Sequence, residues 1–178
     1  MRSDNLIFVD IETTGTDPDK HEIIELAYIL VKQDKGTFTV IEEREFKVRP
    51  EHIETAEPAA LRMNGYDEGQ WIFASSLADV MKVFGAASKG AIFVAQNVTF
   101  DYSFIERALG TSGVPNELYY AKLDTISMAY NKLYKDPRAT GFSLKKLCEY
   151  FGVENGKAHT ALADTRATFE VFKKLMGS

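Results

Sequence analysis

The segment from Leu6 to Glu12 constrains the fold more than any other part of the chain. It reads LIFVDIE, and its β-branched and aromatic side chains fall on both of the faces that alternate along a strand. A strand with two apolar faces must be covered on both sides, as in the middle of a sheet flanked by helices. Thr13, Thr14 and Gly15 follow it with turn-forming chemistry. The segment therefore predicts a central strand that ends in two carboxylates.

Strands and helices are predicted along the rest of the chain. The pattern indicates strands over 23–32 and 42–48, with a hairpin turn near Asp34-Lys35-Gly36. A buried strand is predicted over 91–95, and a strand or short extended segment over 119–124. Hairpins followed by helix–strand alternation predict an α/β fold, a mixed sheet with helices on its faces. The predicted helices cover residues 58–64, 76–87, 100–109, 126–134, 143–151 and 160–176.

Length and composition narrow the class of protein. A chain of 178 residues is expected to form one domain over residues 1–178. Its longest apolar runs, at 6–9 and 91–95, are far shorter than the about 20 residues that span a bilayer, and the N-terminus lacks a signal pattern. The one cysteine, Cys148, cannot form an internal disulfide and is expected to be an inert core residue. These features predict a cytoplasmic protein without a membrane span.

The net charge limits how the chain can bind nucleic acid. At −5, with a pI of about 5.3, it has the wrong sign for binding by bulk electrostatic attraction. Divalent cations held on carboxylates would place positive charge where a phosphate lies. The charge therefore disfavours a passive DNA-binding protein more than it disfavours a metal-dependent nuclease.

Asp10 and Glu12 are the first pair of residues that indicates chemistry. Residues two apart on a strand point to the same side, so these carboxylates can share a cation. Placed side by side at the end of an apolar strand, they repel each other unless a metal ion or a proton neutralises them. The alternative is a strand end that emerges into water with two solvated acids.

Two further segments carry candidate metal ligands and a candidate base. Asp101 follows the strand at 91–95 and lies at the start of a helix, where α/β sheets place ligands, although it could simply favour the helix dipole. His159 and Asp164 are about 140° apart around a regular helix and cannot be adjacent ligands on one face. We therefore expect Asp164 to hold metal and His159 to act as a base, the alternative for His159 being an exposed or capping residue. His21 and His52 are given that ordinary interpretation.

Together these segments resemble the DEDDh 3′→5′ exonucleases, the superfamily of bacterial polymerase proofreading subunits, ribonuclease T and oligoribonuclease. FVDIETTG at 8–15 is similar to the first family motif and NVTFD at 97–101 to the second. His159 with Asp164 is similar to the third and places the chain in the histidine branch. Gln96 departs from the pattern, because many members have histidine there. The resemblance covers nearly the whole chain and extends to two further landmarks, Met63-Asn64-Gly65 and Asp124-Thr125.

The resemblance implies a ribonuclease-H-like fold with a mixed five-stranded sheet. It also implies release of nucleoside monophosphates from single-stranded or frayed 3′ ends, with His159 accepting a proton from the attacking water. Thr13 and the adjacent backbone are expected to meet the terminal 3′-hydroxyl. The implied ligands of two Mg²⁺ or Mn²⁺ ions are Asp10, Glu12, Asp101 and Asp164, and the candidate substrate contacts are Thr13, Thr14, Leu61, Met63, Asn97 and Phe100.

Several alternatives stay open at this point. Core packing is an equal alternative for Leu61, Met63 and Phe100. The chain could also be a catalytically silent relative that serves as a nucleic-acid-binding or interaction module, or an α/β protein with a structural carboxylate cluster. All five catalytic positions are filled, which argues against a silent relative.

The substrate and partners are less constrained. DNA is favoured slightly over RNA, and a polymerase is a candidate partner within a larger assembly. The chain ends 14 residues after Asp164, without a polymerase-binding tail, so we expect a free-standing nuclease or an excised domain. The oligomeric state is left open. Basic residues that precede the third motif predict either a surface that tracks phosphates or an ordinary solvated face: Lys132, Lys135, Arg138, Lys145, Lys146 and Lys157.

Overall fold

The computed structural model describes residues 5–154 and 160–177. Five strands form one mixed sheet with the order β3-β2-β1-β4-β5. The strands are β1 (Asn5–Thr13), β2 (Ile23–Asp34), β3 (Thr37–Lys47), β4 (Ile92–Ala95) and β5 (Lys122–Asp124). The helices are a 3₁₀ turn (Ile53–Thr55), α1 (Pro58–Met63), α2 (Leu77–Ser88), α3 (Val98–Thr111), α4 (Thr125–Leu133), α5 (Leu144–Phe151) and α6 (Ala161–Met176).

The prediction of a central strand is confirmed. β1 pairs antiparallel with β2 and parallel with β4, and both of its faces are buried. Ile7 and Val9 pack into the cluster that includes side chains of α2 and α3, whereas Phe8 faces α6 on the opposite side of the sheet. The ring of Phe8 lies 4.9 Å from that of Phe169 and 5.1 Å from that of Phe172. Alternate side chains of β1 thus pack against helices on opposite faces of the sheet.

Strand directions bring the functional ends together. β4 runs parallel to both β1 and β5, so the carboxyl ends of these three strands lie at the same edge of the sheet. β2 is antiparallel to β1 and begins at that edge, with Ile23 opposite Thr13. We call this the active edge.

The hairpin between β2 and β3 is longer than predicted. β3 begins at Thr37 instead of residue 42. Lys35 and Gly36 both have positive φ, so a two-residue turn lets pairing start at once. Residues in the first half of β3 are largely exposed, as at Val40 and Ile41, which conceals the strand from burial patterning.

The segment after β3 is held across the active edge by contacts that the sequence pattern did not predict. Trp71 is 4% exposed, and its indole N–H donates to the Ile24 carbonyl over 3.0 Å. Ser75 forms a bridge with Val48, the residue that follows β3. These contacts hold the segment that carries α1 against the start of β2 and the end of β3.

The composition also led to expectations for Cys148 and for membrane-spanning helices. Cys148 is buried in the cluster between α4, α5 and α6, which agrees with an inert core residue, and burial raises the pKa of its thiol. Within the described ranges, no helix is both long and apolar enough to cross a membrane.

Candidate active site

Asp10, Glu12 and Asp164 form the centre of the site. One carboxylate oxygen from each lies within 4.8 Å of the other two. Asp10 and Glu12 share a side of β1, as the two-residue period predicts. Asp164 comes from the first turn of α6, which begins where the Thr160 hydroxyl accepts the Ala163 N–H over 3.3 Å. The structure therefore brings together side chains that are more than 150 residues apart in the chain.

Asp101 adjoins this group of three without belonging to it. It lies in the first turn of α3, is 3% exposed, and accepts a hydrogen bond from the Ile11 N–H. α3 begins two residues earlier than predicted because Asn97 adopts a left-handed conformation, with φ of 69°, and turns the chain into the helix. The Asn97 N–H donates to Asp124 Oδ1 over 3.1 Å, which fixes this turn against the end of β5.

Burial and negative charge raise the pKa values of Asp10, Glu12 and Asp101. For Asp10, burial is the largest cause, followed by the charges of Asp101 and Glu12, and its pKa lies well above the usual range. Burial also raises the pKa of Glu12 to about 7, with further contributions from Asp164 and Glu25. Burial raises the pKa of Asp101 as well. Without a cation, the ionised cluster is unfavourable.

These acids fit a divalent cation. Hard cations such as Mg²⁺ take carboxylate oxygens as ligands, and oxygens within 4.8 Å of one another can surround one ion. A divalent ion would also offset the repulsion that raises the pKa values. Asp10, Glu12 and Asp164 would hold it, with Asp101 next to Asp10.

The raised pKa values predict that metal-free stability falls as pH rises. A carboxyl with a higher pKa in the folded state than in the unfolded chain binds its proton more tightly when folded, so the free energy of unfolding decreases as that proton leaves. For Glu12 the window runs from its ordinary 4.5 to about 7, and the loss is about 3 kcal/mol. Denaturant titrations in EDTA across this window should show that decrease in wild type relative to Glu12→Gln.

Addition of Mg²⁺ should reduce the decrease, because the cation binds the ionised carboxylates. The difference between wild type and Glu12→Gln isolates this group from the other titrating residues. A metal-free difference that does not change with pH would contradict the electrostatic description of the cluster.

The turn after β1 differs from the prediction for its threonine side chains. Thr14 is completely buried, and its hydroxyl oxygen accepts the Glu22 N–H over 2.9 Å, so its side chain does not face a substrate as predicted. Thr13 is 5% exposed and donates its hydroxyl proton to the Gly15 carbonyl over 2.6 Å. Both threonine hydroxyls therefore stabilise the turn. A ligand at this place would meet the backbone of the turn and the surface around Thr13.

His21 packs inside the same turn, which corrects its interpretation as an ordinary exposed or capping residue. Its side chain is 8% exposed, and Nδ1 accepts the Asp17 N–H over 3.0 Å. A Cβ built on Gly15 would lie 2.5 Å from the His21 ring, so glycine is required there for a close approach. The glycine has this packing role in addition to ending the strand.

α1 and its C-cap line one side of the site. The Asn64 side-chain amide donates to the Thr13 carbonyl over 2.9 Å, and the Glu57 N–H donates to the Thr14 carbonyl over 2.7 Å. Met63 is 64% exposed, so the core-packing alternative is wrong for this residue. Leu61 is half-buried in the same helix.

The candidate contacts on α3 differ from each other. Asn97 is exposed at the start of the helix that carries Asp101. Phe100 is half-buried and packs against the core, with its ring 5.1 Å from that of Phe104. Packing and substrate contact are therefore compatible for Phe100. His159, the predicted base, lies outside the described residues, immediately before Thr160.

Glu25 is a further acid that the sequence analysis missed. It lies opposite Glu12 in the β1–β2 register and is 6% exposed. One carboxylate oxygen accepts the Ala161 N–H over 3.4 Å and the other lies 3.9 Å from Lys47 Nζ. Glu25 thus connects β2 to the first turn of the helix that carries Asp164. A charged residue within the otherwise apolar stretch IIELAYILV was the available signal.

The topology and the acids at its active edge define an α/β nuclease domain of ribonuclease-H-like fold. The chain matches the exonuclease family, RNase_T, over residues 7–172. It is 31% identical over 170 residues to DNA polymerase III PolC-type of Caldanaerobacter subterraneus subsp. tengcongensis. It is 30% identical over 182 residues to ribonuclease T of Shewanella sp. (strain W3-18-1). The chain belongs to this exonuclease family, and with it to the 3′→5′ exonuclease superfamily that its motifs resemble.

The matched lengths differ between these proteins. The alignment covers 96% of this chain but 11% of the PolC-type polymerase, and 93% of this chain with 78% of ribonuclease T. Among solved structures, E. coli Exonuclease I in complex with a dT13 oligonucleotide aligns with a TM-score of 0.81 at 21% identity. That alignment covers 97% of this chain and 41% of the other. The structural likeness confirms the fold predicted from the motifs.

Proposed function

We propose that this protein is a 3′→5′ exonuclease that hydrolyses single-stranded or frayed nucleic acid and releases nucleoside monophosphates. The observation that carries the proposal is the convergence of Asp10, Glu12 and Asp164 within 4.8 Å, with Asp101 adjacent. Family membership supports the reaction class. A silent relative or a structural acid cluster would have no need to keep an unfavourable group of acids at an open sheet edge.

In this proposal Asp10, Glu12, Asp101 and Asp164 hold two Mg²⁺ ions, which Mn²⁺ can replace. When bound, the ions activate a water molecule and stabilise the negative charge on the leaving oxygen. Glu25 keeps the first turn of α6, and with it Asp164, in place against β1. Carboxylates supplied by β1, α3 and α6 would thus hold the ions at one phosphodiester.

His159 is proposed as the general base. It directly precedes Thr160, which begins α6, and Asp164 lies in the first turn of that helix. A neutral imidazole there would accept the proton of the attacking water and pass it to solvent. This role separates the base from the ligands, as the sequence spacing predicts.

The terminal nucleoside is proposed to bind between the Thr13 turn and α1. Met63 is exposed there, and Asn64 holds the turn through the Thr13 carbonyl. Leu61, Asn97 and Phe100 complete the set of candidate contacts. Binding of the 3′-terminal nucleoside on this side of the carboxylates gives the reaction its polarity.

DNA is proposed as the slightly preferred substrate over RNA. The PolC-type relative is a DNA polymerase and the Exonuclease I structure contains dT13, whereas another relative is ribonuclease T. The PolC relative also supports a polymerase as a partner. Rates on matched DNA and RNA strands of the same sequence would measure the preference.

Blocking the 3′ end should stop the reaction. We expect a 5′-labelled single strand with a free 3′-hydroxyl to shorten stepwise in Mg²⁺, because the terminal nucleoside must bind beside Thr13 before the first phosphodiester reaches the carboxylates. The same strand with a bulky 3′ group should persist, and EDTA should stop the shortening of the unblocked strand. Gel electrophoresis of the products checks this. Cleavage of closed single-stranded circles, or release of the 5′ label first, would contradict the proposal.

A further inference from the structure

An exposed pair of aromatic side chains lies on α4. Tyr130 is 58% exposed and Tyr134, the C-cap of the helix, is 56% exposed. Their ring centroids are 5.8 Å apart and their planes differ by 24°, so the rings stack on each other while more than half of each residue stays exposed. Tyrosine pairs of this kind are poor candidates for core residues but suit the flat faces of nucleobases. We call Tyr130 and Tyr134 the tyrosine pair.

The tyrosine pair is connected to the active edge by Phe142. The Phe142 ring packs edge-on against Tyr130 at 5.6 Å. The Phe142 carbonyl accepts the side-chain N–H of Gln96 over 2.7 Å. Gln96 directly follows β4 and precedes Asn97, where α3 begins, so this hydrogen bond joins the loop that carries Phe142 to the active edge. Gln96, which departs from the family pattern, thereby anchors the loop before α5.

The surroundings of the pair are basic although the whole chain is acidic. Residues 130–149 contain five lysines and arginines against two acids, whereas the chain carries a net charge of −5. Lys135 Nζ lies over the Tyr134 ring, 5.3 Å from its centroid, in a cation–π contact. Among the residues that the structure describes, neither Lys135 nor Lys145 forms a salt bridge.

The other basic residues described in this region form hydrogen bonds or ion pairs within the protein. Fewer of them are therefore available for the phosphate-tracking surface predicted from sequence. Lys132 donates to the Leu175 carbonyl at the end of α6 over 2.6 Å. Arg138 pairs with Asp136 and donates to the Tyr150 hydroxyl. Lys146 pairs with Glu149 at 2.8 Å, and Lys157 lies outside the described residues. Lys135 and Lys145 therefore remain as the candidate cations for contact with a phosphate backbone.

We propose that the tyrosine pair is a binding subsite for the bases of a single strand upstream of the cleaved bond. The inference rests on the proposed function, which places the terminal nucleoside on the Thr13 and α1 side of the carboxylates. The rest of the strand then leaves on the opposite side, past Gln96 and Phe142, and reaches α4. Stacking on Tyr130 and Tyr134 accepts any base, and Lys135 with Lys145 neutralises the backbone.

Leucine substitutions test the subsite without exposing a cavity. In Tyr130→Leu/Tyr134→Leu the side chains stay large and apolar but cannot stack with bases. Binding of a 5′-fluorescent strand of about 20 thymidines, measured by anisotropy in EDTA, should weaken about ten- to hundredfold. Tyr130→Phe/Tyr134→Phe should bind like wild type, because the rings are kept. Phe73→Leu is the matched control, since Phe73 is 95% exposed on the segment that follows α1.

Kinetics with substrates of two lengths separate this subsite from the catalytic centre. The leucine variant should raise KM for the long strand by a similar factor while leaving kcat, and the rate on a dinucleotide, unchanged. Unaltered anisotropy binding in the leucine variant would overturn the inference, as would an equal loss on both substrates. It would also be overturned if sedimentation showed a dimer that the leucine variant dissociates, because a second copy would then cover the pair. Because binding is measured in EDTA, ring-dependent binding by a protein that does not hydrolyse would support the subsite and count against the exonuclease proposal alone.

Discussion

Replacing Asp10 by asparagine should lower hydrolysis of a single strand by at least about 10³-fold in saturating Mg²⁺. Loss of a metal ligand removes several kcal/mol of transition-state stabilisation. The protein should nevertheless fold as well as wild type. Burial and the charges of Asp101 and Glu12 raise the pKa of Asp10, so an uncharged amide relieves repulsion in the metal-free state. Rates under single-turnover conditions and thermal melting in EDTA check both parts.

Asp34→Asn is the matched control for that variant. Asp34 is exposed at the end of β2 that lies away from the active edge. The control should keep the wild-type rate and the wild-type stabilisation by Mg²⁺. If Asp10→Asn degraded the strand at near the wild-type rate, the assignment of the carboxylates as metal ligands would be wrong. A large drop in the metal-free melting temperature of Asp10→Asn would contradict the repulsion argument.

His159→Ala should reduce the single-turnover rate by roughly 10² to 10⁴-fold, the usual contribution of a positioned general base. Metal and substrate affinity should change little, because His159 is not proposed as a ligand. The wild-type rate should rise with pH through an apparent pKa of about 6 to 8 as the imidazole loses its proton. A metal-bound water can titrate in the same range, so the profile of the variant is the informative measurement.

His52→Ala serves as its control. His52 is exposed, and its Nδ1 atom lies 3.3 Å from Glu54 on the segment before α1. This variant should keep the rate and the rising limb of the pH profile. If His159→Ala kept the full rate and the same limb, the titrating group would be the water, and His159 would have only a structural role before α6.

Much of the fold followed from local patterns. The apolar faces of β1 require a layer on each side, and strand periodicity alone places Asp10 and Glu12 together. The predicted helices over 76–87 and 143–151 begin within one residue of α2 and α5, where Ser76 and Ser143 each accept a backbone N–H three residues on. Features that depend on a few neighbouring residues can be inferred from sequence.

Features that depend on pairing across the sheet could not be inferred in this way. Glu25 lies opposite Glu12 only because of the β1–β2 register, and a shift of one residue would move its side chain to the other face. Thr14 is predicted to contact substrate and His21 to be an exposed or capping residue, yet the turn folds inward, with Thr14 fully buried and the His21 side chain 8% exposed. Thr14 is hydrogen-bonded to Glu22 and His21 packs against Gly15, and both contacts depend on the path of the turn between these residues.

The sequence by itself determined the chemistry, since the types and order of the acids at strand and helix ends indicate a metal-dependent nuclease. The tertiary structure decided the geometry of the site. It brought a carboxylate oxygen of Asp164 within 4.8 Å of those of Asp10 and Glu12. Asp101 lies next to this group of three without belonging to it. It also turned Tyr130 and Tyr134 to solvent beside Phe142. The physical reason is that residue types and short periods are local properties, whereas contacts between elements depend on strand register and on how helices cross the sheet.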